Sequence, residues 1–154
     1  MHLLSAKPGG YSDEEGIIDL QQTPGDIIIL ASQDNLLASL AHLANTLPKD
    51  YPSIRLANLL HLTKPAAFDL YAHKVLSQSQ IIIVSLLGGK SYWPYGIEQL
   101  EILAKQYQIP VAILPGDDQP DPELLQYGTI EPQDQWQLWR YLREGGTRNI
   151  QHFF

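Results

Sequence analysis

The stretch Ile81-Ile82-Ile83-Val84-Ser85-Leu86-Leu87-Gly88-Gly89 carries the pattern that decides the fold. Its first part is rich in β-branched side chains and apolar on both faces, which is typical of a strand covered by helices on both sides. A strand with one face in water would alternate between apolar and polar residues instead. Two glycines then end the apolar run, so the pattern predicts a buried parallel strand that leads into a tight turn.

Two similar runs flank this stretch along the chain, at residues 27–30 and 111–114. Weaker strand candidates lie at 54–60 and 2–5. Between the strands, apolar spacing predicts a helix over 34–47 that Ser32 or Asp34 can cap and that ends before Pro48.

Further helices are predicted to begin at Pro65, near Tyr95, at Asp121-Pro122 and near Gln133. The second and third of the five predicted helices are expected to turn the following residues inward: Phe68, Tyr71, Val75 and Leu76, then Ile97, Leu100, Leu103, Ala104 and Tyr107.

The alternation of strands and helices predicts an α/β fold with an open, mostly parallel, doubly wound sheet of flavodoxin-like or Rossmann-like type. Helices are expected on both faces of the sheet, and residues 6–25 are expected to form a surface loop. We expect one domain over 1–146. The remainder, 147–154, is expected to be the truncated start of a following segment, because two terminal phenylalanines make a poor surface. The alternative is a small natural protein whose last turn packs back on the sheet.

The composition narrows the class of protein. The chain has 154 residues, a formal net charge of −7 and no cysteine. Nucleic acid is therefore not expected as a partner, and disulfides and thiolate metal sites are excluded. No apolar run reaches the roughly 20 residues of a spanning helix, and the N-terminus lacks the apolar stretch of a signal peptide. We expect a cytoplasmic protein.

The strongest candidate site is the loop 86–96, because loops after parallel strands lie where such sheets bind ligands. Its glycines permit close approach of a ligand to the backbone, its aromatic rings can stack on a flat ligand or a partner, and its lysine can meet a carboxylate or phosphate. The simpler alternative is a tight turn whose aromatic side chains pack inward. The candidate ligand-binding or interface residues here are Gly88, Gly89, Lys90, Tyr92, Trp93 and Tyr95.

A nucleotide-binding loop is disfavoured at the same place. The triplet Gly89-Lys90-Ser91 matches the end of such a loop, but the required first glycine would fall at Val84, inside the strand.

Other candidates are weaker. Asp117 and Asp118 follow a buried strand and can hold a hard cation, or they belong to a solvated turn. Arg55 and Asn58 are polar residues in an apolar setting, which either bond to each other or reach a ligand. The five histidines lack metal-site spacing, so no metal ligand is assigned. The sequence places no Ser-His-Asp set and no pair of carboxylates together, so no catalytic residue is assigned either.

Several motifs, in this order along the chain, resemble the N-terminal region of the large subunit of aerobic-type cobaltochelatases, the CobN family. They resemble this group more than the related magnesium chelatase large subunit. The motifs are Leu3-Leu4, Pro8-Gly9-Gly10, Pro24-Gly25-Asp26, Arg55-Leu56-Ala57-Asn58-Leu59-Leu60, Asp69-Leu70-Tyr71, Leu86-Leu87-Gly88-Gly89, Tyr92-Trp93-Pro94-Tyr95-Gly96, Leu114-Pro115-Gly116-Asp117-Asp118 and Pro120-Asp121-Pro122-Glu123-Leu124.

The resemblance implies a domain that helps to bind a corrin-type tetrapyrrole, similar to a hydrogenobyrinic acid diamide, for Co²⁺ insertion in cobalamin biosynthesis. Its implied partners are the remainder of the large subunit and AAA+ ATPase subunits that use ATP with Mg²⁺. No cofactor is expected on this domain itself. The rings of Tyr92, Trp93 and Tyr95 would stack on the macrocycle, and Lys90 and Arg55 would meet its carboxylates.

Two alternatives stay open at this stage. One is a docking or structural module of a larger protein that never touches a substrate. The other is a small flavodoxin-like domain that binds Mg²⁺ or phosphate through Asp117 and Asp118.

Overall fold

A computed structural model describes residues 11–12, 17–18, 20–116 and 121–144 of the chain. Its strands are β1 (Tyr11–Ser12), β2 (Ile17–Ile18), β3 (Ile27–Ala31), β4 (Ile54–Asn58), β5 (Ile81–Leu86) and β6 (Val111–Pro115). Its α-helices are α1 (Asp34–Ala44), α2 (Pro65–Lys74), α3 (Pro94–Tyr107), α4 (Pro122–Leu125) and α5 (Pro132–Glu144).

The main sheet is parallel and four-stranded, in the order β4-β3-β5-β6. Its strands are five or six residues long, and Ile29 of β3 lies level with Leu56 of β4 and Ile83 of β5. From β3 the chain first adds β4 on one side, and it then adds β5 and β6 on the other side. This is the doubly wound arrangement with a flavodoxin-like strand order. The predicted α/β fold class is confirmed, and the strand order reverses between β3 and β5.

Helices cover both faces of this sheet, as predicted. One core lies under α2 and α3 and contains Ile28, Phe68, Val84 and Ile97. The other lies under α1 and α5 and contains Leu40, with Ile29 and Trp139. Because alternate residues of a strand point to opposite faces, the uninterrupted apolar runs of β3 and β5 supply both cores at once.

The inward faces of the helices follow the predicted spacing with one exception. The four residues predicted to face inward near α2 are buried, as are Ile97, Leu100, Leu103 and Ala104 of α3. The prediction for Tyr107 is wrong, because its side chain is 49% exposed at the last residue of α3.

The start of α1 also differs from the prediction. Its N-cap residue is Gln33, and neither Ser32 nor Asp34 caps the helix. Asp34 instead accepts a hydrogen bond from the amide of Asn58 at 2.9 Å, so its carboxylate joins α1 to the end of β4. In α4 the predicted cap is confirmed, since the carboxylate of Asp121 accepts from the N–H of Leu124 at 3.0 Å.

Both outer edges of the sheet are occupied by glutamine side chains. At β4, the amide of Gln22 donates to the carbonyl oxygen of Leu56 at 2.7 Å, and its oxygen accepts from the buried hydroxyl of Tyr71 at 2.6 Å. At β6, buried Gln135 accepts from the N–H of Ile113 at 3.2 Å. Open strand edges invite pairing with other chains, and these side chains block it at the bonded positions.

Part of the region 6–25, expected to form a surface loop, contains β-strands. Strands β1 and β2 pair antiparallel as a short two-stranded ribbon, and residues 20–25 lie along β4. The strand predicted at 2–5, the helix end at Gly145-Gly146 and residues 147–154 lie outside the described residues. The domain limits 1–146 and 147–154 therefore stay predictions.

Candidate functional site at the carboxyl edge of the sheet

The loop after β5 lies at the carboxyl edge of the sheet, beside the point where the strand order reverses. Gly88 has φ +96° and Gly89 has φ +82° with ψ −175°. Side chains other than glycine rarely adopt such angles, and the second pair of angles is essentially restricted to glycine. The predicted tight turn is confirmed, and the two glycines are required by the backbone.

Three loops meet at this edge. The N–H of Gly116, after β6, donates to the carbonyl oxygen of Leu86 at 2.8 Å. The side chain of Gln33, after β3, donates to the carbonyl oxygen of Gly116 at 2.7 Å. A Cβ atom at Gly116 would lie 2.8 Å from the backbone nitrogen of Leu87, so only glycine permits this approach. The edge is thereby fixed from β3 across β5 to β6.

Apolar side chains are exposed on this edge. Tyr92 is 72% exposed, Leu87 is 44% exposed, and Leu60, in the turn after β4, is 57% exposed. The ring of Tyr92 lies against Gly88, where any side chain would collide with it. The diglycine turn therefore supports an aromatic ring at the surface, and Tyr92 is the exposed member of the three rings that the sequence predicted there.

Trp93 lies elsewhere, and the expectation that it presents its ring at the rim is wrong. The side chain is 2% exposed, and its indole N–H donates to the carbonyl oxygen of Leu62 at 3.1 Å. Its ring meets the edge of Phe68, with centroids 5.6 Å apart, and lies so close to Gly96 that a methyl group there would collide with it. The large apolar area of the indole explains why it enters the core.

Tyr95 turns toward α2 rather than toward the loop. It is half-buried, its hydroxyl donates to the carboxylate of Asp69 at 2.8 Å, and its ring meets the edge of Phe68 at 6.1 Å. The hydrogen bond to Asp69 raises the pKa of Tyr95, and partial desolvation and the negative charges of Asp69 and Glu98 add to the rise. The three aromatic residues therefore do not form one stacking platform.

Lys90 interacts with the neighbouring α4 region. Its ammonium group lies 4.6 Å from the ring centroid of Tyr127 and donates to the tyrosine hydroxyl at 3.3 Å. Such a cation–π contact contributes about 0.5–1 kcal/mol when exposed, which a ligand carboxylate can outweigh. Lys90 thus lies at the predicted edge, where Tyr127 is its partner.

The acidic candidates are only partly described. Asp117 and Asp118 lie outside the described residues. Asp121 lies beside the diglycine turn, since a Cβ atom at Gly89 would be 3.5 Å from its carboxylate oxygen. Sequence reasoning assigned this residue only to the helix cap, and its placement beside Gly89 comes from the packing of two loops.

Arg55 and Asn58 do not bond to each other, so that alternative is wrong. Arg55 lies near the start of β4, at the opposite edge, and donates to Thr23 and Pro24. Asn58 lies at the end of β4, where it bonds Asp34 and accepts from the N–H of Leu60 at 2.9 Å. Asn58 therefore belongs to the candidate edge, and Arg55 organises the segment before β3.

Ser32 is a residue of this edge that sequence reasoning did not assign to the site. It follows β3 directly, at the reversal of strand order, and its hydroxyl oxygen is buried with no hydrogen-bond partner among the described residues. Buried hydroxyls normally find a partner, so this one marks a point where the edge is chemically incomplete. Only the position of serine after a strand could have signalled it.

The fold and the edge define a class: a doubly wound α/β domain with a flavodoxin-like strand order and a diglycine turn at its reversal point. No family model matches the chain, and no solved structure is significantly similar to it. The chain is 46% identical over its full length to the aerobic cobaltochelatase subunit CobN of Pseudomonas aeruginosa. It is 40% identical over 149 residues to the protein of the same name from a Sinorhizobium species.

The chain therefore belongs to the CobN family and corresponds to the N-terminal region of its members. It spans about 12% of the length of each of these two relatives. Among the helices of the described residues, none is long and apolar enough to cross a membrane.

Proposed function

We propose that this chain acts as the N-terminal domain of an ATP-dependent cobaltochelatase large subunit. In this proposal, the carboxyl edge of its sheet forms part of the wall of the cleft that binds a corrin-type tetrapyrrole for Co²⁺ insertion. Similarity to two proteins named as aerobic cobaltochelatase subunits, over 100% and 97% of this chain, supports the assignment to the subunit. The exposed Leu87 and Tyr92 on a rigid diglycine turn are the observation that carries the role of the edge.

The chemistry of the edge suits the rim of a macrocycle better than a phosphate site. Tyr92 and Leu87 offer apolar area to a flat ring, and Gly88 and Gly89 let the backbone approach it closely. Lys90 would meet an acidic substituent of the ring by exchanging its neutral partner Tyr127 for a charged one, since hydrogen bonds to a carboxylate are stronger than those to a neutral hydroxyl. With Trp93 in the core, the edge supplies a wall to such a ligand rather than a complete pocket.

The rest of the reaction is assigned to other parts of the complex. The metal-inserting groups, the AAA+ subunits and the use of ATP with Mg²⁺ belong to the proposal and lie outside this domain. The proposed location is the cytoplasm, where both the tetrapyrrole and ATP would be present.

The experiment is to replace Tyr92 by alanine in the full-length large subunit and to measure binding of a hydrogenobyrinic acid diamide by quenching of tryptophan fluorescence. Loss of one stacked ring removes about 0.5–1.5 kcal/mol, so the dissociation constant should rise about two- to twelve-fold. The control is Ser39→Ala, because Ser39 is an exposed residue of α1 and belongs to no surface proposed to bind a ligand or partner.

An unchanged dissociation constant for Tyr92→Ala would remove the cleft-wall role. An equal loss in both variants would do the same, since it would show a general effect of substitution on the surface of the domain. Membership of the family would be unaffected by either result.

A further inference from the structure

We infer that the groove between α2 and α3 is a docking surface for a later part of the same large subunit. This surface lies on a helical face of the sheet and is separate from the carboxyl edge proposed to meet the tetrapyrrole. The inference rests on family membership and on the apolar groove, and it needs no ligand at the edge.

The groove has an apolar floor and a polar rim. Phe68, Ala72 and Leu103 form the floor, while Ile102 and Tyr107 stand beside it with 55% and 49% of their surfaces exposed. Asp69, His73, Ser77, Gln99 and Gln106 complete the lining. An apolar centre within a polar border is the anatomy of a protein–protein interface.

The size of the groove favours a protein segment over a small molecule. Its volume is about 200 Å³ and it is open to solvent. Small-molecule pockets are usually about 300–1,000 Å³ and enclose most of the ligand. A groove of this size accommodates one or two apolar side chains that project from a partner helix or loop.

The other surfaces of the domain are less suited to permanent contact. Among the described residues, the exposed large apolar side chains lie at the carboxyl edge or on α3, and none lies on α1 or α5. Both sheet edges are blocked at the positions bonded by Gln22 and Gln135, which disfavours docking by strand addition. The α2–α3 face is therefore the apolar helical face of the described structure.

The length of the relatives identifies the occupant. This chain accounts for only 12% of either CobN protein, so most of such a subunit is available to cover the groove. Contact within one polypeptide benefits from a high effective concentration, and an apolar groove of modest area then suffices.

The charges around the groove define the kind of segment. Asp69 lines the groove, and its carboxylate accepts a hydrogen bond from Tyr95 at 2.8 Å, which fixes a negative charge at this surface. A segment that inserts an aliphatic side chain beside Ile102 and places a lysine or arginine near Asp69 would match both features.

The test uses the full-length large subunit with the photoreactive residue p-benzoylphenylalanine in place of Ile102. Irradiation should join position 102 to a peptide of the same polypeptide that lies beyond the region matched by this chain. The control carries the probe at Ser39, an exposed position of α1, and should give little or no such product.

A second measurement uses Ile102→Glu, with Ser39→Glu as control. Loss of one buried aliphatic contact shifts an undocking equilibrium by about tenfold or more, so limited proteolysis should release the domain about that much faster from Ile102→Glu. No cross-link from position 102, a cross-link only to another polypeptide, or equal release from both variants would overturn the inference. Tetrapyrrole binding is read in the separate Tyr92 experiment, so the two ideas fail independently.

Discussion

The indole N–H of Trp93 donates to the carbonyl oxygen of Leu62 at 3.1 Å inside the core. This bond joins the segment after β5 to the turn after β4, across the strand that lies between them in the sheet. The loop that carries the candidate residues is thus held in place by the buried side chain of Trp93. A rigid support of this kind is what a binding edge requires, because loosely held residues bind weakly.

Trp93→Ala is expected to lower the free energy of unfolding by about 3–5 kcal/mol, because a large buried side chain and its hydrogen bond are both lost. Trp93→Phe should cost less, since most of the apolar volume remains. Urea denaturation followed by circular dichroism measures both. If Trp93→Ala were as stable as the unchanged protein, the buried placement of the indole would be wrong.

Gln135 is expected to matter more for stability than any other glutamine near it. It bonds Ile113, Leu125 and Ile130 while 1% exposed, so Gln135→Leu leaves three backbone groups without their partner. The expected loss is about 2–4 kcal/mol in the free energy of unfolding.

The control for Gln135 is Gln137→Leu, on the exposed side of the same helix, where the side-chain amide of Gln137 donates to the hydroxyl of Tyr141 at 2.8 Å. Thermal and urea denaturation of both variants give the comparison. Equal stability of the two would contradict the role of Gln135 at the edge of β6.

Gly89→Ala should destabilise the protein by about 1–3 kcal/mol through backbone strain, because φ +82° with ψ −175° suits glycine alone. The Cβ atom itself would meet little, since its nearest contact is the carboxylate of Asp121 at 3.5 Å. The loss of stability would therefore come from the backbone conformation of residue 89 and not from a steric clash of its Cβ atom. Chemical denaturation measures it, and a neutral substitution would show that the turn does not hold this conformation.

Ionisation of Tyr71 makes the free energy of unfolding depend on pH in the alkaline range. Burial raises the pKa of Tyr71 well above its ordinary value of 10.0, although the nearby charge of Arg55 opposes the rise. Above about pH 10 the unfolded chain loses this proton while the folded protein keeps it, so the unfolded state binds fewer protons. The contribution of Tyr71 is thus fully present below pH 10 and is lost as the pH rises toward its folded pKa.

The slope from one such group is about 1.4 kcal/mol per pH unit. Tyr71→Phe should therefore flatten the fall in stability above pH 10, and it should also cost about 1 kcal/mol at neutral pH through loss of the bond to Gln22. Denaturation at pH 7 to 11 tests this, with Tyr107→Phe as control. Parallel curves for the Tyr71 variant and the unchanged protein would refute it.

Much of the fold followed from local patterns. The runs in β3, β5 and β6 are apolar on both faces. Because this property depends only on the residues of each strand, the sequence alone predicted it. The diglycine turn was equally legible, since positive φ angles at Gly88 and Gly89 follow from residue type. The motif order also carried the family resemblance, which the relatives support.

The site was only partly predictable. Nothing local distinguishes Trp93, which is buried, from Tyr92, which is 72% exposed, because they are neighbours with similar chemistry. Which of them enters the core depends on the space left beside Phe68 of α2 and over Gly96 in the first turn of α3. The placements of Gln22 and Gln135 at the sheet edges were missed for the same reason, since glutamine carries no signal of its own.

The sequence alone thus determined a parallel, doubly wound sheet, a rigid turn after its third long strand, and the family to which the chain belongs. These follow from the conformational preferences of individual residues and from the spacing of apolar side chains. Only the tertiary structure decided which aromatic ring faces solvent, which polar side chains close the edges, and where an apolar groove remains open. Those outcomes depend on contacts between residues far apart in the chain, and packing in the crowded interior selects among neighbours that local chemistry leaves equivalent.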